Sequence, residues 1–230
     1  MENKGKVLVV LTNVEQYGED PEQTGLWLAE ATEFVAEVTQ AGYQVDYVSP
    51  QGGAVPIDPR SLKKWYVTAE DLRLRDSWDF QKRALTSSKK PEDIPAQDYR
   101  AIYYTGGHGV IWDFPDNQAL QDIALTIYEQ GGFVTSVCHG LAGLLNLQDS
   151  SGHYLLAGKQ VTGFTKWEEI LSGKWKKVPF ITETEARKRG ANFQQKFPFQ
   201  SYALRDGRLI TGQNPMSGRA VARLLLEAME

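Results

Sequence analysis

The segment Gly131-Gly132-Phe133-Val134-Thr135-Ser136-Val137-Cys138-His139-Gly140 decides the fold of this chain. Residues 133–137 predict a buried β-strand, because β-branched and aromatic side chains dominate and polar residues do not alternate regularly. A helical pattern follows at residues 141–145. The chain therefore turns from a strand into a helix at Cys138. This is the arrangement of a nucleophile elbow, in which a reactive side chain lies at the carboxyl edge of an α/β sheet.

The rest of the chain supplies the other elements that such a sheet needs. Apolar runs predict strands at residues 7–11, 45–48, 102–104 and 209–210, and helical spacing predicts helices at residues 24–40, 117–130 and after Pro215. Gly42 is a stop signal for the first helix, and Asp206-Gly207 predicts a turn before the last strand. The alternation of strands and helices predicts an α/β fold, a doubly wound sandwich around a mostly parallel central sheet.

Two long segments do not fit a minimal sandwich. The first excursion, residues 51–98, is polar, carries Trp65 and Trp78, and predicts short helices. The second excursion, residues 173–200, ends in Phe197-Pro198-Phe199. Loops of this size often cover a functional site, so both excursions are expected to lie over the site.

Composition and charge exclude several classes of protein. The chain has 230 residues, 25 basic and 29 acidic, with a net charge of −4 and 41% hydrophobic residues, which predicts a single domain, residues 1–230. No Lys/Arg-rich block occurs, so neither nucleic acid nor a membrane is an expected partner. The N-terminal stretch MENKGKVLVVLTN has too few apolar residues for a signal peptide or a membrane span, which predicts a cytoplasmic protein.

Cys138 is the single cysteine, so no intramolecular disulfide and no all-cysteine metal site can form. At an elbow, the N-terminus of the next helix would lower the thiol pKa, and the backbone N–H of His139 would stabilise an anion. The sequence departs from a full elbow because Ser136, not glycine, stands two residues before the nucleophile. The alternative is a buried cysteine that packs as a small apolar side chain.

The glycine-rich loop Tyr104-Thr105-Gly106-Gly107-His108-Gly109 follows another predicted strand. In a parallel sheet this loop would lie beside the elbow. Its backbone N–H groups can face a ligand, so the N–H of Gly107 would complete an oxyanion hole with that of His139. Gly107 and His108 are therefore candidate oxyanion and substrate-binding residues. A plain structural turn is the alternative, and no phosphate-loop motif is present.

Glu30 lies on the apolar face of the predicted first helix. It follows Trp27 by three residues and precedes Phe34 by four. An unpaired carboxylate there is unfavourable, so Glu30 is expected to be protonated or hydrogen-bonded, and a carboxyl with a raised pKa beside a thiol can carry protons. The alternative is that Glu30 reaches the edge of the apolar stripe or meets a basic side chain.

Two adjacent acids, Glu168 and Glu169, follow a short strand predicted at residues 160–162. Either carboxylate could orient His139. Alternatively, both could be acids of the first helical turn, which the helix dipole favours. His153 lies in a polar loop and is expected to be solvated. The three histidines lack the spacing of a metal-ligand motif, so no metal is predicted.

Taken in order, five motifs resemble the ThiJ/PfpI superfamily (class I glutamine amidotransferase-like), and in particular its Hsp31-like, glutathione-independent glyoxalase (glyoxalase III) branch. The motifs are Thr24-Gly25 leading to Glu30, Gly106-Gly107-His108-Gly109, Val137-Cys138-His139-Gly140, Gly163-Phe164-Thr165 with Glu169, and Asp206-Gly207-Arg208-Leu209-Ile210-Thr211-Gly212-Gln213-Asn214-Pro215. The resemblance extends from the first strand to the last helix and includes both excursions.

The resemblance implies a flavodoxin-like fold, no cofactor and a homodimer. It implies that Cys138 is the nucleophile, Glu30 its carboxyl partner and His139 the neighbouring base. The third, acidic position falls on Glu169, with Glu168 as the alternative. The implied reaction is that of a glyoxalase III-type lyase (D-lactate dehydratase), which converts methylglyoxal, a small 2-oxoaldehyde, to lactate through a cysteine hemithioacetal.

Other functions remain open on the same fold, because one fold can host divergent activities. One is a stress-related holding chaperone or protein deglycase, and another is a cysteine amidase or peptidase that uses Cys138 and His139. A chaperone would need an exposed apolar patch, for which Trp65, Trp78, Trp175 and residues 197–199 are the candidates. The preferred expectation is that these aromatic residues pack the excursions onto the sandwich.

Overall fold

A computed structural model describes residues 4–230 of the protein. Its strands are β1 (Lys6–Val10), β2 (Gln16–Tyr17), β3 (Asp20–Gln23), β4 (Gln44–Val48), β5 (Tyr99–Tyr104), β6 (Phe133–Val137), β7 (Gln160–Val161), β8 (Asn192–Phe193), β9 (Ala203–Asp206) and β10 (Leu209–Gly212). Its α-helices are α1 (Leu28–Gln40), α2 (Ala69–Arg75), α3 (Val110–Asp113), α4 (Gln118–Glu129), α5 (Lys166–Leu171), α6 (Thr182–Lys188) and α7 (Gly218–Met229). Residues 1–3 lie outside the described residues. They begin the N-terminal stretch for which the sequence predicts neither a signal peptide nor a membrane span.

The central sheet has six strands in the order β4-β1-β5-β6-β10-β9. Five of them are parallel, and β9 pairs antiparallel with β10 at one edge. The hairpin between β9 and β10 turns at Gly207, whose φ of 61° favours glycine. The five predicted strands and the turn are confirmed, and so is the mostly parallel flavodoxin-like α/β fold.

Helices cover both faces of the sheet, which explains why the strands lack polar alternation. Along β1, Val7 and Val9 pack in a core with α1 and α7, whereas Leu8 and Val10 pack in a second core with α4. All four side chains are fully buried. Burial of such a side chain contributes roughly 1.5–3 kcal/mol, so both faces of the strand stabilise the sandwich.

Helix α1 begins four residues later than predicted, at Leu28 instead of Thr24. Residues 24–27 pair with the first excursion instead, since the N–H of Leu26 donates to Pro56 O at 2.8 Å. Gly25 has a φ of 144°, and a Cβ there would collide with the backbone of Pro56. This close approach brings the first excursion against the start of α1.

The first excursion is anchored at both ends and contains short helices, as predicted. Gly53 and Ser88 form an antiparallel bridge, and Lys89 forms a parallel bridge with Val48 of β4. Between these anchors lie a 3₁₀ turn (Pro59–Leu62), α2 and a π-helical turn (Phe80–Thr86). The segment from the 3₁₀ turn to Tyr66 reaches the carboxyl edge of the sheet.

The aromatic residues named as a possible chaperone patch are exposed, which contradicts the expectation that they pack onto the sandwich. The exposed fractions are 71% for Trp65, 76% for Trp78, 49% for Trp175, 80% for Phe197 and 39% for Phe199. Across residues 4–230, no helix has the length and apolar composition to span a membrane.

Candidate active site

The predicted elbow is present at the carboxyl end of β6. Cys138 has a φ of 56°, in the left-handed region that disfavours a side chain. Strand β6 ends at Val137 and a 3₁₀ helix (Cys138–Leu144) starts directly after it. Gly140 permits this turn, because a Cβ there would collide with the carbonyl oxygens of Tyr104 and Thr105 on the neighbouring chain segment. A strained position for the Cys138 thiol at the sheet edge is therefore built into the fold.

Glu30 lies in the first turn of α1 and faces the elbow. Its side chain is fully buried, and neither carboxyl oxygen has a hydrogen-bond partner of standard geometry among the described residues. Burial raises the pKa of Glu30 well above its usual value, although the Cys138 thiol and the backbone N–H of Gly106 lower it. The prediction of a protonated Glu30 on the apolar face agrees with this environment.

Gly106 lies against both the Glu30 carboxyl and the Cys138 side chain. A Cβ at Gly106 would overlap with Glu30 Oε2 and would lie 2.9 Å from Cys138 Cβ. Only glycine therefore lets the loop after β5 pass between these two side chains. The glycine-rich loop brings Glu30 and Cys138 together.

The prediction that the thiol pKa is lowered is wrong for this environment. Burial raises the pKa of Cys138, an ionised Glu30 would raise it further, and the backbone N–H of His139 only partly opposes them. Two adjacent buried anions are unfavourable, so the thiol and the carboxyl cannot both ionise. Burial therefore favours the neutral form of both the thiol and the carboxyl.

His139 joins the thiol to Glu169. Its Nε2 lies 2.7 Å from Glu169 Oε2, and its Nδ1 lies 3.4 Å from Cys138 Sγ. Burial opposes ionisation of Glu169, but His139 and His108 lower its pKa far below the usual value. The ionised Glu169 can only accept, so His139 donates to it through Nε2–H. The other ring nitrogen, Nδ1, is the atom that faces the thiol.

His108 is held on the other oxygen of Glu169. Its Nε2 lies 2.9 Å from Glu169 Oε1, and Arg60 Nη2 donates to its Nδ1 at 3.0 Å. Burial, followed by the charge of His139, lowers the pKa of His108 to about 4, so this ring is neutral at pH 7. Because Arg60 can only donate, His108 also donates to Glu169 through Nε2–H.

Glu168, the alternative third acid, points away from the histidines. Its Oε2 accepts from the N–H and hydroxyl of Thr165, both at 2.9 Å. Its Oε1 accepts from Phe199 N at 2.7 Å and from Asn214 Nδ2 at 2.9 Å. Glu168 therefore fixes the loops around α5, and Glu169 is the acid in contact with His139.

The active-site cavity opens above Cys138 and has a volume of about 360 Å³. Both excursions contribute to its walls. The lining residues are Trp27, Arg60, Lys63, Tyr66, Gly107, His108, Cys138, His139, Phe164, Leu171, Ser172, Phe199 and Pro215.

Gly107 and His139 both line the cavity, as an oxyanion hole requires. Gly107 has a φ of 105°, and a Cβ there would lie 2.8 Å from Trp27 N. Within residues 4–230, neither of the two N–H groups donates to another backbone carbonyl. Their pairing on a substrate oxygen stays a prediction.

All six predicted site residues come together at this edge of the sheet: Cys138, His139, Glu30, Glu169, Gly107 and His108. His153 is solvated, as expected, with 78% of its side chain exposed. The sequence did not point to Arg60, Lys63 and Tyr66, which line the cavity from the first excursion. No sequence motif marks these positions, because the path of the excursion decides which of its side chains reach the cavity.

One group in the site could hold a metal ion, although none was predicted. Single ligand atoms of His108, His139 and Glu169 lie within 4.8 Å of one another. Motif spacing did not show this group because the three residues come from three separate segments. In the structure they satisfy one another by hydrogen bonding.

Known proteins are similar to this sequence over nearly its whole length. The sequence is 36% identical over 236 residues to the glutathione-independent glyoxalase HSP31 of Saccharomyces cerevisiae, covering 98% of each chain. It is 34% identical over 233 residues to glyoxalase 3 of Candida albicans, again covering 98% of each chain.

Solved structures agree with this similarity. The crystal structure of glyoxalase III from Candida albicans superposes with a TM-score of 0.89 at 31% identity, covering 99% of this chain and 98% of that one. Rapid Encystment Protein 24 kDa from Francisella tularensis gives a TM-score of 0.94 at 33% identity, covering 98% and 99%. The model of the DJ-1/PfpI family matches residues 22–228. The chain therefore belongs to the DJ-1/PfpI family.

Proposed function

We propose that this protein is a glutathione-independent glyoxalase that converts methylglyoxal and related 2-oxoaldehydes to lactate without a cofactor. One observation carries the proposal: the Cys138 thiol lies between the buried Glu30 carboxyl and His139 Nδ1, which is 3.4 Å from its sulfur. This pairing supplies a nucleophile, a base and an acid at the floor of one cavity. The names of the two fungal relatives support the same reaction.

The reaction begins at the thiol. His139 Nδ1 takes the thiol proton as sulfur attacks the aldehyde carbon, and a hemithioacetal forms. The N–H groups of Gly107 and His139 hold its oxyanion. Because thiolate develops only as the new carbon–sulfur bond forms, the raised thiol pKa of the resting site does not prevent the attack.

A proton transfer between carbons follows. His139 returns the thiol proton to the oxyanion and then removes the proton of the hemithioacetal carbon, which gives an enediolate. Glu30 protonates the adjacent carbon, which gives a lactoyl thioester, and the proton on His139 then restores Glu30. Glu30 lies beside the sulfur and carries a proton in the resting site, so it is the acid for this transfer. Water then cleaves the thioester, and the sum is methylglyoxal plus water to lactate.

Glu169 and His108 act on the base and not on the substrate. Glu169 accepts from both rings and stabilises the cation that His139 becomes when it holds the thiol proton. The neutral His108 keeps Glu169 in place without competing for that charge.

The test is consumption of methylglyoxal without glutathione, with lactate measured, on the wild type and on Cys138→Ala. We expect turnover in the wild type and none in the variant, while circular dichroism shows both folded. Substantial turnover by Cys138→Ala would refute the mechanism.

A second candidate, protein holding, rests on the exposed aromatic residues of the excursions. Trp65, Trp78 and Phe197 are each more than two-thirds exposed. Suppression of aggregation that survives Cys138→Ala would support holding, because a surface patch needs no thiol. A deglycase or amidase activity would instead need Cys138, and amide reporters would detect the latter.

The setting of the enzyme is also part of the proposal. We place it in the cytoplasm as a homodimer that acts on a small molecule and binds neither nucleic acid nor membrane. Light scattering after size-exclusion chromatography distinguishes a dimer from a monomer.

A further inference from the structure

The cavity wall that the first excursion contributes is cationic. Two charged side chains line the cavity, Arg60 and Lys63, and no carboxylate is among the described lining residues. The nearest acids lie behind the wall. Asp58 is fully buried in an ion pair with Arg60, and Glu169 lies between the two histidines. The negative charges therefore face inward, and the positive charges face the cavity.

Several hydrogen-bond donors on this wall have no acceptor among residues 4–230. Arg60 uses Nε and Nη2 on Asp58, at 3.0 and 2.5 Å, and Nη2 also on His108, which leaves Nη1 without a partner. The Nζ of Lys63 forms neither an ion pair nor a hydrogen bond with any of the described residues. The indole Nε1 of Trp27 is buried and has no partner.

A buried N–H without an acceptor is unfavourable, so a ligand that supplies an acceptor is stabilised there. A guanidinium and an ammonium together are the usual partners of a carboxylate. Arg60 stacks over the Trp27 ring, with 5.8 Å from its guanidinium carbon to the ring centroid. The Arg60 and Trp27 donors therefore lie on the same wall.

We infer that Trp27, Arg60 and Lys63 form an anion subsite, and that the preferred substrates are 2-oxoaldehydes bearing a carboxylate beyond the ketone. The substrate class rests on the proposed function. Binding of an anion by these three residues beside the Cys138 thiol does not depend on that function. The aldehyde carbon of such a substrate reaches Cys138 while its carboxylate lies on the cationic wall.

The first test uses the single cysteine. Iodoacetate and iodoacetamide have nearly the same size and both alkylate a thiol with loss of iodide, but only iodoacetate is an anion. Intact mass reports Cys138 alone, because the chain has no other cysteine. The measured quantity is the alkylation rate with iodoacetate divided by the rate with iodoacetamide. This ratio is normalised by the same ratio for a small free thiol.

Lys63→Ala is the test variant and Lys64→Ala its control. Lys64 stacks over Trp65 and does not line this cavity. We expect Lys63→Ala to lower the normalised ratio about fivefold, as loss of one partly screened charge contact implies. Lys64→Ala should leave the ratio unchanged. Arg60 is not mutated, because its loss would leave the buried Asp58 without its cation.

The second test compares two five-carbon substrates, 4,5-dioxopentanoate and 2-oxopentanal. The wild type should prefer the anion in kcat/KM, and high salt or Lys63→Ala should reduce the preference about fivefold. Turnover of both substrates with no preference, or a normalised alkylation ratio unaffected by Lys63→Ala, would overturn the subsite. Turnover of neither these two substrates nor methylglyoxal would overturn the glyoxalase function, and a charge-dependent alkylation ratio would then still support anion recognition. Turnover of methylglyoxal alone would overturn the preference for carboxylate-bearing substrates.

Discussion

Glu169 accepts a hydrogen bond from each of two histidines, and Glu169→Gln isolates the effect of its charge with little change in volume. The glutamine amide has one oxygen and one NH2 group. Only one ring can then donate to it, and the other ring meets a donor. If that ring is His139, its proton moves to Nδ1, and the base that faces Cys138 is lost.

The expected magnitude follows from the hydrogen bond that is lost. A hydrogen bond to a charged group contributes about 1.5–3 kcal/mol. In the reaction Glu169 also faces a developing imidazolium, so the full effect falls on the transition state. We therefore expect kcat/KM for methylglyoxal to fall by about 10- to 150-fold.

Glu168→Gln is the matched control on the same helix. Glu168 accepts from Phe199 N and Asn214 Nδ2 but does not contact the histidines. Its replacement should destabilise the fold by about 1–3 kcal/mol and leave a smaller loss of kcat/KM per folded molecule. The assay pairs steady-state kinetics with thermal unfolding. The reasoning is refuted if Glu168→Gln loses more turnover than Glu169→Gln at equal folded fraction.

Three further predictions concern the groups around the elbow. Glu30→Gln should lower kcat by about 100-fold or more with little loss of stability, because the carboxyl is already neutral but its proton is needed; unchanged kinetics would remove Glu30 from the mechanism. Gly106→Ala should impair both turnover and thermal stability, since its Cβ would overlap with Glu30 and Cys138; a wild-type melting temperature would contradict this close contact. Burial raises the pKa of Asp113 from its usual 3.8 to about 7, so the folded state holds the proton more tightly and the unfolding free energy should fall as pH rises between these values. Asp113→Asn should remove that part of the pH dependence, and chemical denaturation at several pH values would measure it.

Much of the site could be predicted because local sequence determines it. The β-branched run before Cys138 fixes β6, and the following residues fix the elbow whatever the rest of the chain does. Glu30 could be placed on the buried face of α1 because helical periodicity alone sets that position. These features depend on residues close together in the chain.

Other properties of the site depend on distant segments and could not be predicted. The expected low thiol pKa followed from the helix N-terminus alone, whereas burial by surrounding segments outweighs it at Cys138. The choice between Glu168 and Glu169 depends on where Phe199 and Asn214 lie, and neither position follows from α5 itself. Arg60 reaches the cavity only because the first excursion pairs with the residues before α1.

The anchoring of the first excursion also protects the protein from aggregation. Strand β4 is the outermost parallel strand, and an open strand edge can recruit other chains. Here the N–H of Lys89 donates to Tyr47 O at 2.9 Å, and Arg83 Nη2 donates to Val45 O at 2.7 Å. The excursion thus blocks the edge with backbone pairing and a positive charge. A shortened chain without residues 51–98 would lose this cover as well as the cavity wall, so its first defect would be insolubility instead of altered specificity.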